Sequence, residues 1–285
     1  MNWMKHVWIY FLISALFIIP GIYSLVSFGF KPSIEFTGGT RLTVENVKSS
    51  PDMVLQSFKD YTPTLEDSTS NSVTLKTKNI SQETAQKALD SIKSDNLEIK
   101  IAGFETIGAA LGKETIKKTI SALIIASVML LLYISFAFKQ LKYGVCAIIA
   151  MLHDSIVLLG SFSLLGHFFG IEIDLLFVTA VLTILSFSVH DTIVVFDRIR
   201  ELSHKNKGTD YTTLVNQAVT ETMVRSLNNS LTIIFMLIAL FLIGGETTKY
   251  FSLALLIGTV TGTYSSTFTA APLLIVWERI FSKSK

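Results

Sequence analysis

Six apolar stretches, at residues 7–29, 119–138, 143–167, 174–196, 226–244 and 250–276, constrain this 285-residue chain more than any other feature. Each is near the ~20 residues that the hydrocarbon core of a bilayer asks of a helix. Backbone N–H and C=O groups find no water there, so each stretch is expected to be a helix. Only 16% of the residues are charged while 50% are hydrophobic, a balance that a water-soluble domain could not carry without aggregating. The first stretch follows Lys5 as a signal peptide would. Its apolar core, residues 8–28, is long for that purpose, contains Pro20-Gly21 and precedes no A-x-A site, so it reads as an uncleaved anchor. Cys146 is the single cysteine, so no internal disulfide can form.

The short loops orient the spans. Lys139 and Lys142 follow span two, and Arg198, Arg200, Lys205 and Lys207 follow span four. Lys5 lies at one terminus and Arg279, Lys283 and Lys285 at the other, whereas the intervening loops carry only Lys249. The positive-inside rule then puts both termini in the cytoplasm. Residues 1–29 form a cytoplasmic tip and span one, 30–118 an extracytoplasmic domain, 119–276 spans two to six with a cytoplasmic segment at 197–225, and 277–285 a tail. The fold class is an α-helical polytopic membrane protein with a small α+β domain between its first two spans.

In the outer domain, residues 40–44 alternate with Leu42 and Val44 on one face, which predicts a strand. Ser50-Pro51 looks like a helix start, followed by Val54, Leu55 and Phe58. Val73 and Leu75 mark a second strand, Ser81 a helix N-cap, and residues 98–102 a closing strand. No ligand is named by these residues. In the cytoplasmic segment Tyr211, Leu214, Val215, Ala218 and Val219 predict an amphipathic helix on the bundle or membrane surface. Nothing there asks for nucleic acid.

Spans three and four each contain a His-Asp pair, His153-Asp154 and His190-Asp191. An Asp at the centre of a spanning helix costs about 2.5–3.5 kcal/mol, so it faces protein or water and is a functional candidate by default. It can stay protonated, pair with a cation, or alternate between the two, and the last is what a proton carrier needs. Span five opens with Arg225, Asn228, Asn229 and Ser230 at the end where Asp191 lies. Arg225 and Asn229 share a helix face, and an arginine that never loses its proton can be the fixed charge against which an Asp titrates. The bland alternatives are a packing hydrogen bond for Asp191 and a snorkelling Arg225. A metal site from the two His-Asp pairs is disfavoured, because adjacent helical residues point about 100° apart. No nucleophile elbow supports an enzyme, and no cofactor is implied. Gly258, Gly262 and Ser266 line one face of span six and suit close helix packing, as does the Gly108/Gly112 pair.

These residues together resemble the SecF family of protein translocase subunits. The resemblance rests on SVHDTIVVFDRIRE in span four, on LHDSIVLLG and FSLALLIGTVTGTYSS, and on IEFTGGT at residues 34–40, similar to a D-F-x-G-G-T motif. It implies that Glu35, Phe36, Gly38 and Gly39 are motif positions and that Asp191 and Arg225 take part in proton passage, with Asp154, His190 and Asn229 as further relay candidates. It implies SecD as partner, and work beside the SecYEG channel and SecA on an unfolded preprotein, driven by the proton-motive force, in the bacterial cytoplasmic membrane. Glu35 stands where the family usually has Asp, and His190 where it usually has Asn. Histidine titrates near neutral pH and could join the relay, or it could simply hydrogen-bond as Asn does. Two other readings stay open: a scaffold that holds SecD near the channel without moving protons, and a small-molecule exporter of the resistance–nodulation–division type.

Overall fold

The structure, a computed structural model, describes residues 2–47, 51–69, 71–92, 99–138, 140–206 and 208–281. The chain divides into two compact units, 1–30 with 122–285, and 31–121.

The smaller unit is a four-stranded antiparallel sheet with short helices. Helix α1 (Val7–Ser27) precedes it in the chain. After the one-turn α2 (Ile34–Thr37) come β1 (Gly39–Glu45), α3 (Pro51–Ser57), β2 (Thr64–Ser68), β3 (Ser72–Thr77), α4 (Gln82–Asp90) and β4 (Lys100–Ile107). The strand order is β2-β3-β1-β4. Period-two alternation puts Leu42 and Val44 of β1 opposite Leu75 and Val73 of β3, all buried on one face. Val54 and Phe58 from the α3 region and Ala85 and Leu89 of α4 complete that core. Ser81 caps α4 by accepting from Thr84 N–H, at 3.2 Å, as expected from sequence. The strand expected at 98–102 runs over Lys100–Ile107, and Ser50 and residue 98 lie outside the described residues.

The GG motif explains itself here. Gly38 and Gly39 have φ of 73° and 126°, values that L side chains rarely adopt. A Cβ on Gly38 would lie 2.7 Å from Ala109 Cα, and one on Gly39 2.7 Å from the Thr77 carbonyl. Gly112 closes the same knot, since a Cβ there would meet the Phe36 carbonyl at 2.7 Å. Phe36 is buried and Glu35 half-buried beside it. The motif turns α2 into β1 where no room is left for a side chain.

The larger unit holds α1 and the long helices. α5 (Ala109–Phe138) begins in the smaller unit and continues into the larger. It is followed by α6 (Leu141–Phe169), α7 (Leu175–Lys205), α8 (Tyr211–Ile243) and α9 (Glu246–Ser265). A π-helical turn (Ser266–Ala270) then leads into α10 (Ala271–Phe281). Five helices among the described residues are long and apolar enough to cross a membrane: Trp3–Ser27, which joins a 3₁₀ turn to α1, and α5 to α8. The stretch expected as span six is built from three pieces, α9, the π turn and α10. The amphipathic helix expected in the 197–225 segment and span five are one 33-residue helix, α8, and its predicted stripe of Leu214, Val215, Ala218 and Val219 is buried.

Small residues set the close approaches. α1 crosses α6 at Gly21 and Gly160, where a Cβ on Gly160 would sit 2.3 Å from Gly21 Cα. Above that crossing Ser24 donates to Ser163 at 2.8 Å, and Ser163 donates to the Gly29 carbonyl at 2.6 Å. α9 lies against α7 at Gly258, where a Cβ would collide with Ile184, and at Gly262, where it would touch Phe187 and Ser188 at 3.4 Å. Small residues allow such contacts in lipid, where hydrophobic drive between helices is absent.

Candidate functional site

Two carboxylates lie within the packing of α6, α7, α8 and α9. Asp154 of α6 is 1% exposed and Asp191 of α7 is 6% exposed. Each is held by hydroxyls from other helices. Asp191 accepts from Ser226 of α8, at 2.9 Å to one oxygen and 2.8 Å to the other, and from Ser266 at the start of the π turn. Asp154 accepts from Ser188 of α7 and, at 2.6 Å, from Ser265 at the end of α9. Its second oxygen faces His153 Nδ1 at 2.9 Å.

The local sequence explains the arrangement. Asp154 and Asp191 sit on the inward faces of apolar helices, where lipid would not solvate them. Small hydroxyl residues follow at the points of closest helix approach, so short side chains can reach across. Ser265 and Ser266, being neighbours on one turn, point about 100° apart and meet different helices.

A hydroxyl is a versatile partner, because it donates to a carboxylate and accepts from a carboxylic acid. A cage of serines therefore fits Asp191 in either protonation state, which a permanent ion pair would not. A cleft of ≈ 260 Å³ between α8 and the α9 region reaches the same serine. Its walls are apolar, with Met223, Leu227 and Phe268 among them, and Ser226, Ser230 and Thr263 supply hydroxyls. Thr263 donates to Ser230 there at 2.6 Å. One hydroxyl thus separates the cleft from Asp191.

The other candidates from sequence are placed differently. Arg225 and Asn229 are exposed on α8, and it is Ser226, next to Arg225, that meets Asp191. His190 is exposed on α7, about 100° around the helix from Asp191 and in a line with Thr179, Thr183 and Ser186. His153, by contrast, is buried on Asp154. Among the described residues no group of three metal-ligating side chains comes together. Of the caging serines the sequence singles out only Ser266, as a packing residue of span six. The available signal is position: Ser188 and Ser226 lie one span beyond their Asp inside otherwise apolar runs, whereas Ser265 and Ser266 lie two or three spans away.

The family described as "Protein export membrane protein SecD/SecF, C-terminal" matches residues 85–280, and "SecD/SecF GG Motif" matches residues 23–45. A protein translocase subunit SecF from Thermobaculum terrenum is 43% identical over 97% of this chain and 95% of its own. A SecF from Anaerolinea thermophila is 38% identical over 95% of this chain and 92% of its own. The chain belongs to the SecF family. The crystal structure of Thermus thermophilus SecDF, described as a translocon-associated membrane protein, superposes with a TM-score of 0.84 at 29% identity. It is covered over 98% of the present chain, which spans 39% of the longer SecDF chain. As a SecF-family member the chain is a membrane-embedded accessory subunit of protein translocation, and the SecDF fusion supports association with SecD.

Proposed function

We propose that this SecF-family subunit works with SecD to convert the proton-motive force into late-stage export of preproteins, with Asp191 as the group that takes up and releases the proton. The observation that carries this reading is the cage: a buried carboxylate in a membrane bundle, held by Ser226 and Ser266 in a way that suits both of its charge states. One charge crossing 100 mV supplies about 2.3 kcal/mol, enough to shift a two-state equilibrium more than tenfold.

Proton uptake by Asp191 gives it a single O–H to donate, so one of Ser226 and Ser266 would turn from donor to acceptor while the other loses part of its hold, which changes the grip of α8 and of the π turn on α7. Arg225 and Asn229 enter from outside. With Asn228 and Thr232 they form an exposed polar face on a membrane helix, and Thr179, Thr183, Ser186 and His190 form another on α7. Lipid is a poor neighbour for such faces, and SecD is the partner expected to cover them. Arg225 then acts at that seam rather than as the direct counter-ion of Asp191. Asp154 joins the relay as a second acidic group.

In this reading the chain has six spans, with α9, the π turn and α10 forming the last, both termini in the cytoplasm and residues 31–121 outside, in the bacterial cytoplasmic membrane. The working partners are SecD, the SecYEG channel with SecA, and the unfolded preprotein. No catalytic chemistry and no cofactor are assigned.

The test is export of a secreted reporter in cells lacking this protein, rescued by wild type or by Asp191→Asn, with assembly onto SecD measured in parallel. Assembly without rescue supports the proton-driven role. Assembly with full rescue makes Asp191 a packing residue and the chain a scaffold for SecD.

A further inference from the structure

His153 has a feature that the role of Asp191 does not use. The ring is 6% exposed, its Nδ1 faces Asp154, and its Nε2 is buried with no hydrogen-bond partner. Buried polar atoms are nearly always satisfied, so such an atom signals a bound water or a group that exchanges protons. If Nδ1 carries the proton, Nε2 is a bare lone pair. If the ring is charged, Nε2 is an N–H lacking an acceptor. In the neutral ring the next proton to reach this site binds at Nε2, and in the charged ring Nε2 donates to a water.

The surroundings make that proton consequential. Asp154 is the charged group against His153. The ring of Tyr264 from α9 lies over it at 6.3 Å. α7 approaches through Ser188, and α1, over residues 7–27, has no charged residue. An ionised Asp154 beside a neutral His153 leaves one uncompensated negative charge in the bundle, and a proton on Nε2 cancels it. The same Asp154 touches Ser265, whose neighbour Ser266 touches Asp191.

Both serines have a second acceptor in place. Ser265 Oγ lies 3.2 Å from the Gly262 carbonyl, and Ser266 Oγ lies 3.1 Å from that of Thr263. A hydroxyl has one proton to give, so each serine donates to its Asp when that is ionised and to its own helix when it is not. The two charge states are thus written into two consecutive residues where an α-helix becomes a π turn, an irregularity often found at functional sites.

We propose that His153 and Asp154 form a second proton-binding site, coupled to Asp191 through the neighbouring hydroxyls of Ser265 and Ser266, so that the two sites do not load independently. The ligand is a proton delivered by water, taken at His153 Nε2. The function of this coupling rests on the proton-driven reading of Asp191, and the test separates the two.

The experiment is nitrogen NMR of the full chain, labelled at histidine and held in phospholipid bilayers, titrated from acid to alkaline pH. The chain has 5 histidines, and His153 is assigned by the signal lost in His153→Gln. His153 is expected to titrate. In Asp191→Asn the His153 midpoint is expected to differ from that of the wild type, as it must where two sites are coupled. Ser266→Ala retains Asp191 but cuts the link, and a changed His153 midpoint is expected there too, which covers the case in which Asp191→Asn fails to fold. A His153 ring that holds one protonation state throughout, or one midpoint in all folded variants, overturns the proposal. If the midpoint shifts while Asp191→Asn still rescues export, the coupled site stands and the proton-driven function falls. If export fails and no shift occurs, the function stands and the coupling falls.

Discussion

Ser265 and Ser266 are consecutive residues whose hydroxyls serve different carboxylates, Asp154 on α6 and Asp191 on α7. Any displacement of that one peptide unit changes the environment of both acids, and any change in either acid pulls on the same point of the chain.

Removing a caging hydroxyl is therefore expected to destabilise the bundle. Ser226→Ala takes the donor that spans both oxygens of Asp191, and Ser266→Ala takes the other. A buried acceptor left short of donors costs about 1–3 kcal/mol. Thermal unfolding in detergent at neutral pH should show both losses.

The α1–α6 crossing predicts a cross-link. Ser24 and Ser163 are 2.8 Å apart at their hydroxyls, so Ser24→Cys with Ser163→Cys, in a Cys146→Ala background, should form a disulfide on mild oxidation. Adding Gly160→Leu forces the backbones apart at a place where even a Cβ has 2.3 Å of room, and the cross-link should be lost. Mobility on a non-reducing gel reads both results.

At Gly258 the obstacle is a side chain. Gly258→Ala drives a methyl group into Ile184, whereas Gly262→Ala meets its neighbours at ordinary contact distance. Gly258→Ala should lower the unfolding temperature and Gly262→Ala should do so far less. Trimming Ile184→Ala should restore part of the loss, with a coupling of about 0.5–3 kcal/mol in the double-mutant cycle.

The GG motif should fail by strain. Gly39→Ala combines a positive φ with a Cβ only 2.7 Å from the Thr77 carbonyl. A residue forced into such a conformation costs about 1–3 kcal/mol before the clash is counted. Hydrogen exchange across β1 and its partner β3 should quicken in Gly39→Ala, and equal protection in the two proteins would remove the motif's structural role.

What could be read from sequence followed the strength of each physical signal. Asp154 and Asp191 stood out because a carboxylate in an apolar run has few explanations. Leu42, Val44, Val73 and Leu75 declared their strands by alternation. β2 (Thr64–Ser68) escaped because an exposed edge strand needs no apolar face, and its residues are nearly all exposed. The continuity of α8 was hidden by the polar group around Arg225 and Asn229, which interrupts hydropathy but not the helix. The serines were silent because a lone hydroxyl costs little in a span and matters only through the partner that folding brings to it.

The length of α8 has a mechanical consequence. At about 1.5 Å per residue its 33 residues make a rod of about 50 Å. Ser226 lies near the midpoint of that rod, and it is there that Asp191 holds it. A grip at the fulcrum lets a shift too small to break the bundle swing the two ends of α8 in opposite directions.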